Sequence, residues 1–214
     1  IYAASGNSGG GAYQLDNVVM GPGHELTERR TDCIDPLAPA ADDVPDGQPL
    51  RVNGNFATND LTGWGTANTI TTQVTNGVAQ FIRPSVLPSG ASGVLFQFTG
   101  VPVAANQIVS AQFRMGNSSN VRKRITVLLH ALAFNDLAAC TFWLEPNQAL
   151  ATYTMRTWVS QAWANAMISF YPATTDSLQW YELDDVSMSV TPGAPTYGTD
   201  CVEPGDSSGL AGLP

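Results

Sequence analysis

Residues able to do chemistry are few in this chain, and they are scattered. There are two histidines, His24 and His130. His24 falls in a stretch that reads as linker and His130 within an apolar strand, and neither stands at a Ser-His-Asp or Cys-His spacing. Carboxylates crowd the linker stretches: Asp32, Asp35, Asp42, Asp43, Asp46, Glu203 and Asp206. Glycoside cleavage needs two carboxyl groups about 5–9 Å apart in a cleft. Only Glu145 and the pair Asp184-Asp185 are worth naming inside the expected domain, and nothing supports their pairing. Cys33, Cys140 and Cys201 are too few and too far apart for a zinc site. The expectation is a protein that is not an enzyme.

Rings offer a different chemistry. Sugar recognition needs aromatic faces beside polar side chains, and Trp143, Tyr153, Trp158, Trp163, Trp180 and Tyr181 are available. About half of them must serve the core if they alternate along strands. Trp158 and Trp163 flank Ser160-Gln161 and are expected to line a loop at one end of the fold; together with Trp143 they are the candidate ligand contacts. Asn117-Ser118-Ser119 is a glycosylation sequon, expected in an accessible hairpin loop after Met115-Gly116.

These residues have to be positioned by strands. Val78 to Ile82 follows the turn signal Asn76-Gly77. Gly93 to Phe98 is rich in aromatic and β-branched residues. From Gln107 to Met115, Val109, Ala111, Phe113 and Met115 share one side of the pleat. Arg124 to Ala133 puts Ile125, Val127 and Leu129 on one face, and Cys140–Leu144, Tyr153–Val159, Ala164–Tyr171 and Trp180–Val190 follow. No segment sustains a helical period, and Val159 to Ala166 is assigned to a loop leading into a strand. The prediction is an all-β chain, a jelly-roll β-sandwich with an extended N-terminal strand and linker arm.

Composition narrows the class. The 214 residues are 43% hydrophobic, enough for a substantial core, yet only 13% charged, about half the usual share. Of the nine basic residues only Lys123 is a lysine. That profile fits a secreted, extracellular or cell-surface protein. The net charge of −9 argues against nucleic acid, which needs a basic stripe. The run Arg122-Lys123-Arg124 reads as a solvated strand entry or loop. No apolar run reaches the roughly 20 residues of a membrane helix, so no membrane span is expected. The chain starts at Ile1 within what reads as folded sequence, and processing or truncation upstream is expected.

The chain also repeats itself. Tyr13-Gln-Leu-Asp-Asn-Val-Val-Met20 matches Tyr181-Glu-Leu-Asp-Asp-Val-Ser-Met188, and Thr31-Asp-Cys-Ile-Asp-Pro36 matches Thr199-Asp-Cys-Val-Glu-Pro204. Both matches have the same offset, since 181 − 13 and 199 − 31 each give 168. Residues 1–49 therefore read as an arm resembling the last strand and linker of a preceding repeat, 50–192 as the sandwich, and 193–214 as a C-terminal linker. A surplus strand can satisfy its backbone by joining another sheet, here through Tyr13, Leu15, Val18 and Met20. Such a head-to-tail rule builds open filaments from neighbouring copies. If Cys140 pairs with Cys201, Cys33 is left for the Cys140 equivalent of the preceding unit; a Cys33–Cys201 bridge with Cys140 buried and reduced is the alternative.

Words at both ends of the domain are familiar. Leu50-Arg-Val-Asn-Gly-Asn-Phe56 with Leu61-Thr-Gly-Trp64, Leu95-Phe-Gln-Phe98, and Trp180-Tyr-Glu-Leu-Asp-Asp-Val-Ser-Met188 resemble the opening, middle and closing strands of carbohydrate-binding modules with the galactose-binding-like jelly roll. The resemblance covers about 140 residues and implies fold more than function. It implies a structural calcium held by Asp184 with Asn53, although Ala57 stands where the family often has a Glu ligand. Trp64 is expected to close one end of the core. Asp184 and Asp185, as strand neighbours, are expected to point to opposite faces. The expected function is a non-enzymatic structural module of a head-to-tail surface filament or array; the alternative is a carbohydrate-binding module of a secreted polysaccharide-active protein, with polysaccharide as partner.

Overall fold

Alternation along the strands decides the architecture. The computed structural model describes residues 48–50 (backbone only), 54–67, 70–83, 93–173, 179–192 and 199–204. In chain order the strands are β1 (Gln48–Leu50), β2 (Gly65–Ala67), β3 (Thr71–Thr75), β4 (Val78–Ile82), β5 (Val94–Phe98), β6 (Gln107–Asn117), β7 (Lys123–Ala131), β8 (Leu137–Leu144), β9 (Gln148–Trp158), β10 (Ala166–Pro172), β11 (Tyr181–Pro192) and β12 (Thr199–Val202). They form two antiparallel sheets. One has seven strands in the order β12-β9-β6-β11-β4-β3, with β1 beside β11; the other has five, β2-β5-β10-β7-β8. Most connections from β4 onward cross from one sheet to the other, which is the predicted jelly-roll sandwich. Asn76 and Gly77 both have positive φ, 53° and 76°, the conformation a tight hairpin between β3 and β4 requires.

Between the sheets lies an aromatic core. Val109, Ala111, Phe113 and Met115 of β6 are buried together, as are Ile125, Val127 and Leu129 of β7. Phe113 stacks on Tyr153 at 6.1 Å and meets Phe142 and Phe170 edge-on at 5.8 and 5.2 Å. Trp64 closes one end against Phe56 and Phe170.

Two features depart from the sequence reading. Thr199–Val202 falls in the stretch expected to be linker, yet it pairs with β9 as an edge strand. Its Cys201 turns inward and is bonded to Cys140 of β8, so the bond joins the edge of one sheet to the edge of the other. The second departure is in β11. Its register shifts between Asp184 and Ser187, and Asp185 has φ 48°. This bulge moves the buried positions from Tyr181 and Leu183 to Val186, Met188 and Val190. Asp184 and Asp185 therefore both stay out of the core instead of straddling it. The arm residues Tyr13, Leu15, Val18 and Met20, together with Cys33 and Asn53, lie outside the described residues.

Candidate functional site

Strands β5 and β10 send alternate rings outward. Leu95 enters the core, so Phe96 and Phe98 face the other way, and Phe98 is 45% exposed. Ile168 and Phe170 enter the core, leaving Met167, Ser169 and Tyr171 on the outer face. In β7 the same rule puts out Thr126, Leu128 and His130, and in β8 Thr141 and Trp143. Register brings Phe98, Met167 and His130 into one row, Phe96, Ser169 and Leu128 into the next, then Tyr171, Thr126 and Thr141, and finally Arg124 and Trp143. Phe98, Phe96, Tyr171 and Trp143 thus form a diagonal across the five-stranded sheet. From Phe96 to Trp143 it spans roughly 20 Å, from about 4.8 Å per strand and 3.3 Å per residue. Phe96 and Phe98 meet edge to face at 5.2 Å.

Polar groups are set among the rings. The hydroxyls of Thr126 and Thr141 lie 3.1 Å apart. His130 Nδ1 is 2.8 Å from the Ala131 carbonyl, which can only accept, so Nδ1 carries the hydrogen and Nε2 accepts from Ser169 Oγ at 2.8 Å. Although His130 is on an outer face it is fully buried. The β7–β8 loop folds back, and Phe134, at φ 54°, stacks on the imidazole with ring centres 4.1 Å apart. Burial holds the imidazole below its ordinary pKa and pushes the Tyr171 phenol up. Both groups are neutral hydrogen-bonding groups at pH 7. Ser169 and His130 have the spacing of a nucleophile and its base, but both are inaccessible, so they serve as a buried polar floor.

The residues singled out from sequence do not come together. Trp143 lies at one end of the diagonal. Trp158, opposite Ile108, points outward from the seven-stranded sheet. Trp163 does not line a loop surface: it is 1% exposed, in the core, and its Nε1 donates to Asp136 Oδ2 at 3.0 Å. The same carboxylate accepts from Ser160 N and Gln161 N, fastening the loop that was expected to hold ligand. Asn117 is not accessible either. It is fully buried, and its Nδ2, the atom a glycan would occupy, donates to the carbonyls of Val121, Leu144 and Glu145.

The basic run also differs from expectation. Lys123 is fully buried, its Nζ 4.7 Å from the centre of the Tyr181 ring and donating to the Gln179 carbonyl at 2.7 Å. Alternation explains this: Lys123 has the inward phase of Ile125 and Val127. Glu145 pairs with Arg122 at 3.2 Å and Asp185 with Arg114 at 3.3 Å. Around Asp184, among the described residues, no three His, Cys, Asp or Glu side chains could share a metal ion. The Asp184 carboxylate accepts from the Asp185 backbone at 2.8 Å, and Asp185 is committed to Arg114. Asn53, the other ligand expected for calcium, lies outside the described residues.

Sequence reasoning missed Phe96, Phe98 and Tyr171 as surface rings. Period-two alternation against Leu95 and Phe170 is the signal that could have found them.

No protein-family model matches the sequence, and no curated protein matches it. Solved structures do share its fold. The CBM22-1 xylan-binding domain from Paenibacillus barcinonensis Xyn10C gives a TM-score of 0.53 at 14% identity, covering 72% of this chain and 100% of that one. The CBM22-1-CBM22-2 tandem domain of the same protein gives 0.52 at 15% identity, covering 74% and 48%. The arabinose-bound MgGH51 α-L-arabinofuranosidase gives 0.49 at 18% identity, covering 67% of this chain and 26% of that one, so the chain spans about a quarter of that enzyme's length. The likeness to the first two is one of fold: a jelly-roll sandwich of the carbohydrate-binding-module type. No helix among the described residues is long and apolar enough to cross a membrane.

Proposed function

We propose that the chain is a non-catalytic, extracellular carbohydrate-binding module. The observation that carries this reading is the diagonal of Phe98, Phe96, Tyr171 and Trp143 across the outer face of the five-stranded sheet. A pyranose has a C–H face that packs on an aromatic ring and hydroxyls that need partners. Rings interleaved with Thr126, Thr141 and the Tyr171 phenol supply both. The length of the diagonal suits a stretch of polymer better than one sugar. A cross-sheet disulfide fits an oxidising compartment. The fold shared with a xylan-binding domain makes xylan the first polymer to try.

The test is retention by insoluble and gel-embedded polysaccharides, xylan first, for the wild type and for Tyr171→Ala and Phe96→Ala. Binding by the wild type, weakened in both variants, supports the reading. No retention by any polysaccharide would remove it.

The internal repeat supports tandem modules over a donor strand. Tyr13 to Met20 copies the first part of β11, and Thr31 to Pro36 copies β12 with its cysteine. β11 lies between β6 on one side and β4 with β1 on the other. A strand of this sequence is a central strand, so its copy belongs inside a sandwich of its own. Nothing among the described residues favours the filament.

A further inference from the structure

Among the described residues four large apolar side chains are exposed, and three of them, Phe98, Leu132 and Phe134, stand at one end of the five-stranded sheet. Met167 pairs with Phe98 on one side and with His130 on the other. The Phe134 ring lies on the His130 imidazole, with centres 4.1 Å apart. Phe98 and Phe134 thus flank Met167, which is 5% exposed; their separation is roughly 10 Å, from about 4.8 Å per strand. Phe134 holds φ 54°, a left-handed conformation that is uncommon for a bulky residue. Strain of that kind persists where the surroundings enforce it, and it gathers at ligand-holding sites.

The polar groups at this end decide what it can hold. His130 and Ser169 are buried and bonded to each other and to the Ala131 carbonyl. Asp136 turns its carboxylate to the backbone of Ser160 and Gln161 and to the Trp163 indole. Asn165, half-buried and two residues before Met167, accepts from Gly100 N through its Oδ1 at 3.0 Å, which leaves its Nδ2 as a donor. This end therefore offers apolar side chains and one amide donor. An unsubstituted sugar has several hydroxyls to satisfy, and the Thr126, Thr141 and Tyr171 hydroxyls lie farther along the diagonal. An acyl ester instead has an apolar tail and a carbonyl oxygen that only accepts. Phe98 is also the first ring of the diagonal, so the patch continues the face proposed for the polysaccharide, and a polymer lying there brings its own substituents to it.

We infer that the Phe98–Phe134 end is a subsite for a neutral acyl ester carried by the polysaccharide. This rests on the carbohydrate-binding reading and adds a substituent of the ligand to it. The acyl group can be small, as in an acetyl ester, or aromatic, as in a feruloyl ester.

Calorimetry of the full chain would compare acetylated xylo-oligosaccharides and feruloylated arabinoxylo-oligosaccharides, each with its saponified form, in which the ester has become an alcohol. The expected result is about tenfold weaker binding after saponification for at least one of the two, the scale of an apolar group buried with one hydrogen bond. Whichever ester shows the loss tells acetyl from aromatic. Phe134→Ala should bind acylated and saponified forms alike, and its circular dichroism checks the fold. Leu132→Ser, at a half-exposed position, should narrow the difference. Equal binding of acylated and saponified forms by the wild type, or a difference kept in full by both variants, would overturn the subsite and leave the module reading standing. Binding to neither form, nor to any neutral polysaccharide, would overturn both.

Discussion

Phe96 lies across Gly65, its partner on the neighbouring strand: a Cβ built on Gly65 would sit 2.6 Å from the Phe96 Cζ. The glycine is what allows this ring its place on the diagonal. Gly65→Ala should push the ring aside with little cost to the fold, because the obstructing atoms are the far end of a side chain on an outer face. Stability should stay within about 1 kcal/mol, while glycan affinity falls about tenfold. Urea unfolding alongside calorimetry checks the split; an unchanged affinity would show that Phe96 is not a contact.

Gly54 faces a harder neighbour. A Cβ there would lie 1.8 Å from the Val186 carbonyl oxygen, and Val186 N donates to Gly54 O at 3.1 Å. Here the obstruction is backbone, locked by the bulge in β11. Gly54→Ala should destabilise by about 3–5 kcal/mol, readable as a lower urea midpoint. A loss under about 1 kcal/mol would mean that the opening loop can move away from β11.

The disulfide should stabilise through the chain it closes. Cys140 and Cys201 are 61 residues apart, for which loop-closure entropy gives about 4 kcal/mol. Reduction, or Cys140→Ala with Cys201→Ala, should therefore lower the melting temperature by roughly 8–16 °C. An unchanged melting temperature on complete reduction, confirmed by thiol titration, would contradict this.

Stability should decline in mild acid because of His130. Burial lowers its pKa below 6.5, so on acidification the unfolded chain takes up this proton before the native one does. The contribution is complete above the unfolded value and is lost as the pH falls from there toward the native value. Asp184 works in the opposite sense at lower pH: burial raises its pKa above 3.8, and its effect is a loss of stability as pH rises through that window. Unfolding free energies at about pH 7.5 and about pH 5 should differ less in His130→Gln than in the wild type. Equal slopes would exclude His130 as the cause.

Fold was more legible than site. Period-two patterns in β6 and β7 found the inward residues because each of those strands is continuous across the core. The β11 bulge was invisible because it depends on one residue, Asp185, adopting a left-handed conformation. Lys123 was misread by its charge, although its phase matched Ile125. The tryptophans were weighed by residue type, while their roles depend on the phase of the strand or loop that carries them. Trp143 and Phe142 are neighbours with opposite fates, and Trp163 is core because Asp136, distant in sequence, receives its indole N–H. The same logic shows why Asn117 misled: the sequon is local, whereas the carbonyls that bury its amide include Leu144 and Glu145, far along the chain.

The most direct test of the binding face is backbone amide shift mapping by NMR during titration with xylo-oligosaccharide. The largest perturbations should fall on Phe96, Phe98, Tyr171, Thr126 and Trp143, all on the outer face of the five-stranded sheet. Perturbations centred instead on Trp158 and Gln112, on the outer face of the other sheet, would contradict the account.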